Sequence, residues 1–238
     1  MIYMNKFKIQ NFEISKDNPP FIIAEAGINH NGDIKRALEM IKVAKNSGVT
    51  AIKFQTFKAS EFIFDSSLTY TYKSQGKTIT EPQLDLFERC ELSHDDYFRI
   101  KKKCDEEKII FLSTPQNKSD LDFLLELDVP AIKIGSDDFT NIPLLKSYSE
   151  TNLPIIISCG MATLEEIEEV LSIYKREDIT QVALLHCVSN YPCSLESLNL
   201  KVLPIMQKTF NCPIGYSDHS EGFDAAKISI SLGAKIIE

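Results

Sequence analysis

Residues Phe21–Phe57 read FIIAEAGINHNGDIKRALEMIKVAKNSGVTAIKFQTF. A short apolar run, a polar loop, an amphipathic stretch, a Gly-containing turn and a second apolar run follow in order, which predicts strand, helix, strand. Each predicted strand carries polar residues within its apolar run: Glu25 in FIIAEAG, Lys53 and Gln55 in AIKFQTF. Side chains alternate across a strand, so Lys53 and Gln55 share one face and Phe54 takes the other. A lysine on a buried face needs a partner or loses its proton. Two adjacent parallel strands that offer Glu, Lys and Gln to one interior make the floor of a site for a charged substrate.

The same alternation continues along the chain. Strands are predicted at 21–27, 51–57, 109–115, 131–136, 154–160, 181–188, 213–218 and 234–238, with helices at 33–47, 94–107, 117–127, 141–150, 163–174, 195–208 and 222–232. Short apolar strands separated by helices predict a parallel sheet covered on its outer face, and eight of them favour a (β/α)8 TIM barrel over a doubly wound sheet. Ser93, Thr163 and Ser194 stand at helix N-cap positions with acidic residues after them, and Gly48 and Gly233 at C-caps. Residues 58–93 form a long, polar, Tyr-rich connection after the second strand, where barrel enzymes keep functional lids. Residues 1–20 alternate like a short β extension and lack the apolar core of a signal peptide. The chain ends at Glu238 within the eighth strand, so the barrel of residues 21–238 is expected to be incomplete at its eighth βα unit, as a fragment would be.

Composition narrows the function classes. The 238 residues are 43% apolar, enough for one large core. A net charge of −8 argues against nucleic acid or an anionic membrane surface as the partner. No apolar run approaches the ~20 residues that span a bilayer. Six cysteines without a close CxxC pair suit reduced cytosolic thiols rather than a disulfide framework. Cys187 is a weak candidate nucleophile, because buried thiols are usually inert packing.

Polar residues gather at the C-terminal ends of the predicted strands, where barrel enzymes build their sites. They are Glu25 with Asn29-His30-Asn31, Lys53, Gln55, Ser113, Thr114, Lys133, Ser136, His186, Ser189, Tyr191, Ser217, Asp218, His219 and Glu238. Two lysines within strands point to a phosphate or carboxylate, with a Schiff-base lysine or plain pairing to Glu25 as alternatives. Thr114 and Ser136 favour the anion, as hydroxyl donors. His219 could ligate Mn2+ or Zn2+ together with Asp218 and Glu238, or simply hydrogen-bond in its loop. His30 can contact substrate or be solvated, His186 is open to either reading, and His94 sits beside a helix cap.

The motifs IIAEAGINHNGD, AIKFQTF, FLSTP, AIKIGSDDFTNIPLL, PIIISCGMATLEEI, LLHCVSNYP and IGYSDHSEG, in this order over Phe21–Glu238, resemble those of the sialic acid synthases. That family condenses phosphoenolpyruvate with an N-acylated amino-sugar aldose to give a nine-carbon acid and phosphate. The resemblance implies that Lys53, Thr114, Lys133, Ser136 and Ser217 hold phosphoenolpyruvate, with Ser189 where many members have Asn. It implies that Glu25 and Tyr191 position the sugar, that Gln55 lines the site, and that Lys53 stabilises the phosphate charge. Glu25 or Glu238 would orient or activate the water added at C2. His219 would be one of two histidine ligands to a divalent metal, typically Mn2+, with Mg2+ or Co2+ as alternatives.

In the family the last strand continues through the second metal histidine to a further helix and a small C-terminal antifreeze-like domain, which reaches across a homodimer. None of these lies within residues 1–238, so this chain alone is expected to be inactive or nearly so. A cytoplasmic enzyme that feeds bacterial surface glycans is implied. The rivals are another phosphoenolpyruvate-condensing or metal-dependent aldolase barrel and a non-catalytic ligand-binding barrel fragment. A phosphorylated aldose would call for an extra basic cluster in residues 58–93, which supply Lys58, Lys73, Lys77 and Arg89.

Overall fold

The computed structural model describes residues 6–74, 76–176 and 180–238; residues 1–5 of the predicted β extension and Gln75 of the predicted connection lie outside it. Eight parallel strands form one sheet: β1 (Phe21–Gly27), β2 (Ala51–Thr56), β3 (Ile110–Pro115), β4 (Ile132–Ile134), β5 (Ile155–Ser158), β6 (Val182–Cys187), β7 (Ile214–Ser217) and β8 (Ile236–Ile237). The order is β3-β2-β1-β8-β7-β6-β5-β4, with Ile236 of β8 opposite Phe21 of β1. Its two end strands, β3 and β4, lie side by side and bring the sheet round to a nearly closed barrel. This is the expected α/β barrel architecture.

Helices cover the outer face because their apolar residues recur at helical spacing. In α1 (Ile34–Asn46) Ala37, Ile41 and Ala44 are buried on one side, and Asp33 caps the start by accepting from the Lys35 and Arg36 amides. The helix at His94–Glu107 begins as expected at Ser93, whose hydroxyl and Asp96 form a reciprocal capping box. Thr163 and Glu166 exchange the same pair of bonds at the start of the helix Leu164–Arg176.

Two expectations need correction. The predicted helix 195–208 is a 3-10 turn, Leu195–Ser197, and a separate helix, Val202–Thr209; Ser194 makes no capping bond. Asn199 between them adopts φ 47°, a left-handed conformation that a continuous helix does not allow. The described residues of the 58–93 connection hold regular elements: a helical turn at Ala59–Phe62, an antiparallel hairpin pairing Thr69–Ser74 with Lys77–Pro82, and a helix at Gln83–Cys90. Thr alternates with Tyr before Gly76 and with Ile and Glu after it, a β-pattern that the polar composition conceals.

Alternation along the strands divides the barrel interior into two layers. Phe21, Ile23, Ala51, Ile110, Leu112, Ala131, Ile156, Ala183, Leu185 and Ile236 form one buried apolar cluster. A hairpin of Phe7–Ile9 and Phe12–Ile14 adds Phe7, Ile9 and Ile14 and closes that end. A β-carbon on Gly215 would come within 2.5 Å of both the Ile236 carbonyl and Leu185 Cδ2, so the packing there has no spare room. Two residues further along the same faces come Glu25, Lys53, Thr114, Lys133, Ser158, Cys187 and Glu238, joined from β7 by Ser217. No described helix is long and apolar enough to cross a membrane. The six cysteines are free and buried.

Candidate active site

The polar layer is a chain of buried charges. Lys53 Nζ lies 2.7 Å from Glu25 Oε2 and 3.6 Å from Glu238 Oε1, and Lys133 Nζ lies 3.2 Å from Glu238 Oε2. Hydroxyls complete it. Lys53 donates to Thr114 Oγ1 at 3.3 Å, Lys133 to Ser158 Oγ at 2.9 Å and to the Ile134 carbonyl at 3.0 Å, and Ser217 to Glu238 Oε2 at 2.9 Å. Gln55 donates to Glu25 Oε1 at 3.5 Å. The backbone places these groups: Glu25 faces Lys53 across the β1–β2 ladder, and a register shift after Glu25 sets Gly27 opposite Phe54.

The two ammonium groups balance the two carboxylates, so ion pairing, one of the alternatives left open by the sequence, describes this state. Burial opposes the charge of Lys53, but Glu25 and Glu238 outweigh it and hold its pKa above the ordinary lysine value. An amine that stays protonated is a poor Schiff-base nucleophile and a good anion ligand. Burial pushes Glu238 up, yet Lys133 and Lys53 overcome this and bring it down to about 2. Glu25 shifts the other way, raised first by burial and also by Glu238, with Lys53 pulling it down. Its side chain, 36% exposed, faces the open mouth. Glu238 Oε1 is buried and accepts no hydrogen bond, with the Lys53 ammonium 3.6 Å away.

The loops add a second group. His219 Nδ1 donates to the Val188 carbonyl at 2.8 Å, and Tyr191 stacks on the imidazole at a centroid distance of 3.9 Å. That bond fixes the tautomer and makes Nε2 the acceptor nitrogen, the form a metal ligand takes, with the Cys187 thiol 4.0 Å from it. Asp218 is committed elsewhere: its Oδ1 accepts from Tyr216, from the Ser220 amide and from the Ser220 hydroxyl. Among the described residues no three His, Cys, Asp or Glu side chains gather as a metal cluster. In this state Asp218 is held by Tyr216 and Ser220, and Glu238 by Ser217 and Lys133.

The remaining candidates separate cleanly. Ser136 Oγ accepts from the Gly160 amide at 2.9 Å, and Ser189 stands over the same glycine. Ser113 is turned to the outer face, where it bonds Thr56 at 2.7 Å. His30 is 1% exposed, neither solvated nor in the mouth; its Nδ1 accepts the Gly32 amide and its ring packs on Phe54. His186 donates to the Leu198 carbonyl, and exposed His94 stacks on Phe123. Burial raises the Cys187 pKa and keeps it a thiol, which is unsuited to nucleophilic attack. The sequence reading missed Ser158 as a site residue; its two-residue spacing from Ile156 carried the signal.

Residues 40–238 match the NeuB family. An uncharacterised protein of Methanocaldococcus jannaschii, MJ1065, is 39% identical over 99% of this chain and 66% of its own length. The N,N'-diacetyllegionaminic acid synthase of Campylobacter jejuni is 40% identical over 91% of this chain and 66% of its own. Among solved structures, the N-acetylneuraminic acid synthetase of Leptospira borgpetersenii superposes with a TM-score of 0.89 at 34% identity, over 100% of this chain and 78% of that one. The chain spans 62–66% of the length of these curated relatives and of the N,N'-diacetyllegionaminic acid synthase of Legionella pneumophila. With seven of the quoted motifs' polar residues meeting in one layer of a barrel and most of the chain matched, this protein belongs to the NeuB family.

Proposed function

We propose that the chain forms the barrel of a phosphoenolpyruvate-dependent synthase of nine-carbon sialic-type acids. The observation that carries this reading is the pair of buried ammonium groups, Lys53 and Lys133, ringed by the Thr114, Ser158 and Ser217 hydroxyls at the barrel mouth. Two fixed charges and neutral donors suit an anion with both a carboxylate and a phosphate. On binding, that anion competes with Glu25 and Glu238 for the lysines. The carboxylates are then left beside the reacting carbons, where they can hold water.

In the reaction, the C2–C3 π pair of phosphoenolpyruvate forms the carbon–carbon bond from C3 to the aldehyde carbon of the amino sugar; the aldehyde π pair moves to its oxygen, which takes up a proton, and C2 is left cationic. Water adds to C2, losing a proton to Glu238 or Glu25. The C2–O bond to phosphate then breaks, and phosphate leaves with the electron pair. Lys53 and Lys133 stabilise the charge on the departing group. Glu25, Gln55 and Tyr191 at the open side position the sugar. His219 would hold a divalent metal, Mn2+ by preference, which acts as a Lewis acid toward the aldehyde oxygen. A cytoplasmic homodimer belongs to the same reading.

The test is phosphate release from phosphoenolpyruvate with Mn2+ and either N-acetylmannosamine or a diacetamido-trideoxyhexose, in this chain and in a version lengthened to match its relatives. Release that depends on one sugar supports the synthase and names its substrate. No release with any aldose from the longer protein contradicts it.

A further inference from the structure

The connection between β2 and the helix His94–Glu107 has a core of its own, apart from the two layers of the barrel. Phe57, Leu86 and Cys90 are buried together, with Ile28, Phe62 and Phe87 packed against them. The rings of Phe57, Phe62 and Phe87 meet edge to face in all three pairings, at centroid distances of 5.5, 5.5 and 5.1 Å. Arg89, in the helix Gln83–Cys90, donates to both carboxylate oxygens of Glu81 in the hairpin at 2.8 and 2.9 Å. Rings and a bidentate ion pair thus join turn, hairpin and helix into one unit. Its two ends are fastened by one side chain. The Ala59 amide donates to Glu91 Oε1 at 2.7 Å, across 32 residues of sequence. Lys58, just before it, makes no capping bond, so Glu91 supplies the cap that the local sequence lacks. Gly32 of the first βα loop, at φ 71°, abuts the same root. A β-carbon there would stand 2.4 Å from the Arg89 carbonyl oxygen and 3.6 Å from that of Glu91. Further out, Glu61 accepts from Asn117 and Ser119 at 3.0 and 2.8 Å in exposed bonds.

We propose that Glu91 is a positioning residue: by holding the Ala59 amide it seats turn, hairpin and helix as one body beside the Glu25–Gln55 side of the mouth. The role in the reaction rests on the phosphoenolpyruvate reading above, in which Glu25 and Gln55 position the sugar. Placement carries the argument. The unit begins with Phe57, two residues after Gln55, and packs on Ile28, three residues after Glu25. Lys53 and Lys133 are held by bonds within the barrel layer, so their anion site does not depend on the seat. Ala59 is fully buried, and removing the Glu91 carboxylate leaves its amide without an acceptor, which favours local opening over the seated state. The Lys58–Glu91 pair, at 3.9 Å and with Lys58 exposed, contributes little by comparison.

The experiment is backbone hydrogen exchange in wild type, Glu91→Ala, Glu91→Gln and Gly32→Ala, with the aldose KM measured for the same changes in the version lengthened to match its relatives. In Glu91→Ala the amides of Ala59–Phe62 and Gln83–Cys90 should exchange together, about tenfold faster, while those of the barrel strands keep their rates. Glu91→Gln, whose side-chain oxygen still accepts from Ala59, should restore most of the protection. Gly32→Ala, which presses on the Arg89 carbonyl from the barrel side, should speed the same amides with Glu91 intact. The aldose KM should rise about tenfold in Glu91→Ala and return toward wild type in Glu91→Gln, with phosphoenolpyruvate affinity by calorimetry unchanged. Unchanged exchange in Glu91→Ala, acceleration spread evenly over the barrel strands, or Glu91→Gln as fast as Glu91→Ala would overturn the proposal. Faster exchange with an unaltered aldose KM would overturn the positioning role. A lengthened wild type that releases no phosphate with any aldose would contradict the phosphoenolpyruvate reading and with it the role in the reaction, and the exchange rates would still decide whether Glu91 seats the unit.

Discussion

The lower and upper halves of the barrel interior are built from the same strands and obey opposite rules. Below, Ile23, Leu112, Ala131 and Ile156 pack tightly under the N-terminal hairpin. Two residues later the same faces present Glu25, Thr114, Lys133 and Ser158, four polar side chains whose burial costs energy unless each is paired. The contrast shows where stability is generated and where it is given up. The apolar half supplies area removed from water, and the polar half holds charges in place for an incoming ligand.

The harshest way to break the comparison is Lys133→Ala. It takes from Glu238 the shorter of its two lysine contacts, leaving Ser217 and Lys53 at 3.6 Å, and removing one partner of a buried pair costs about 3–5 kcal/mol. Urea unfolding should show that loss, and calorimetry should show phosphoenolpyruvate binding abolished. Leu112→Ala, in the apolar half, should cost about 3–4 kcal/mol through the cavity it leaves, with phosphoenolpyruvate affinity unchanged. Equal damage to binding from the two variants would erase the division of labour.

Acid offers a gentler probe. Glu238 titrates near 2 in the fold against an ordinary value of 4.5, so its contribution is complete above about pH 4.5 and is lost as the pH falls toward 2. That amounts to about 2–3 kcal/mol, reduced because Glu25, whose pKa is raised, is relieved by the same protonation. Glu238→Gln should flatten this part of the stability curve between pH 5 and pH 2, measured by urea midpoints. The mildest change, Ser93→Ala, removes a helix cap far from both layers and should cost about 1 kcal/mol with no effect on ligand binding.

The sequence exposed what is local. Eight apolar runs, the parity that separates Lys53 from Phe54, and the cap at Ser93 all depend on neighbours within a few residues, and the structure bears them out. What it hid is non-local. Lys133 meets Ser158 across 25 residues and Glu238 across a hundred, so neither pairing could be read from spacing. Ser113 and Thr114 look alike in FLSTP, yet only the register against β2 shows that one faces outward and the other inward. His30 reads as a loop residue, and its burial against Phe54 depends on how the first loop folds back. The hairpin at 69–82 was concealed because exposed strands have no apolar face to announce them.

The central claim is that the polar half of the barrel, and not its apolar half, is an anion site for phosphoenolpyruvate. Calorimetric titration of phosphoenolpyruvate into wild type, Lys53→Met, Lys133→Met and Leu112→Ala tests it most directly, with circular dichroism to confirm folding. The account predicts saturable binding in wild type and Leu112→Ala and its loss in both folded lysine variants. Binding that survives in the lysine variants, or is missing from a folded wild type, would contradict it.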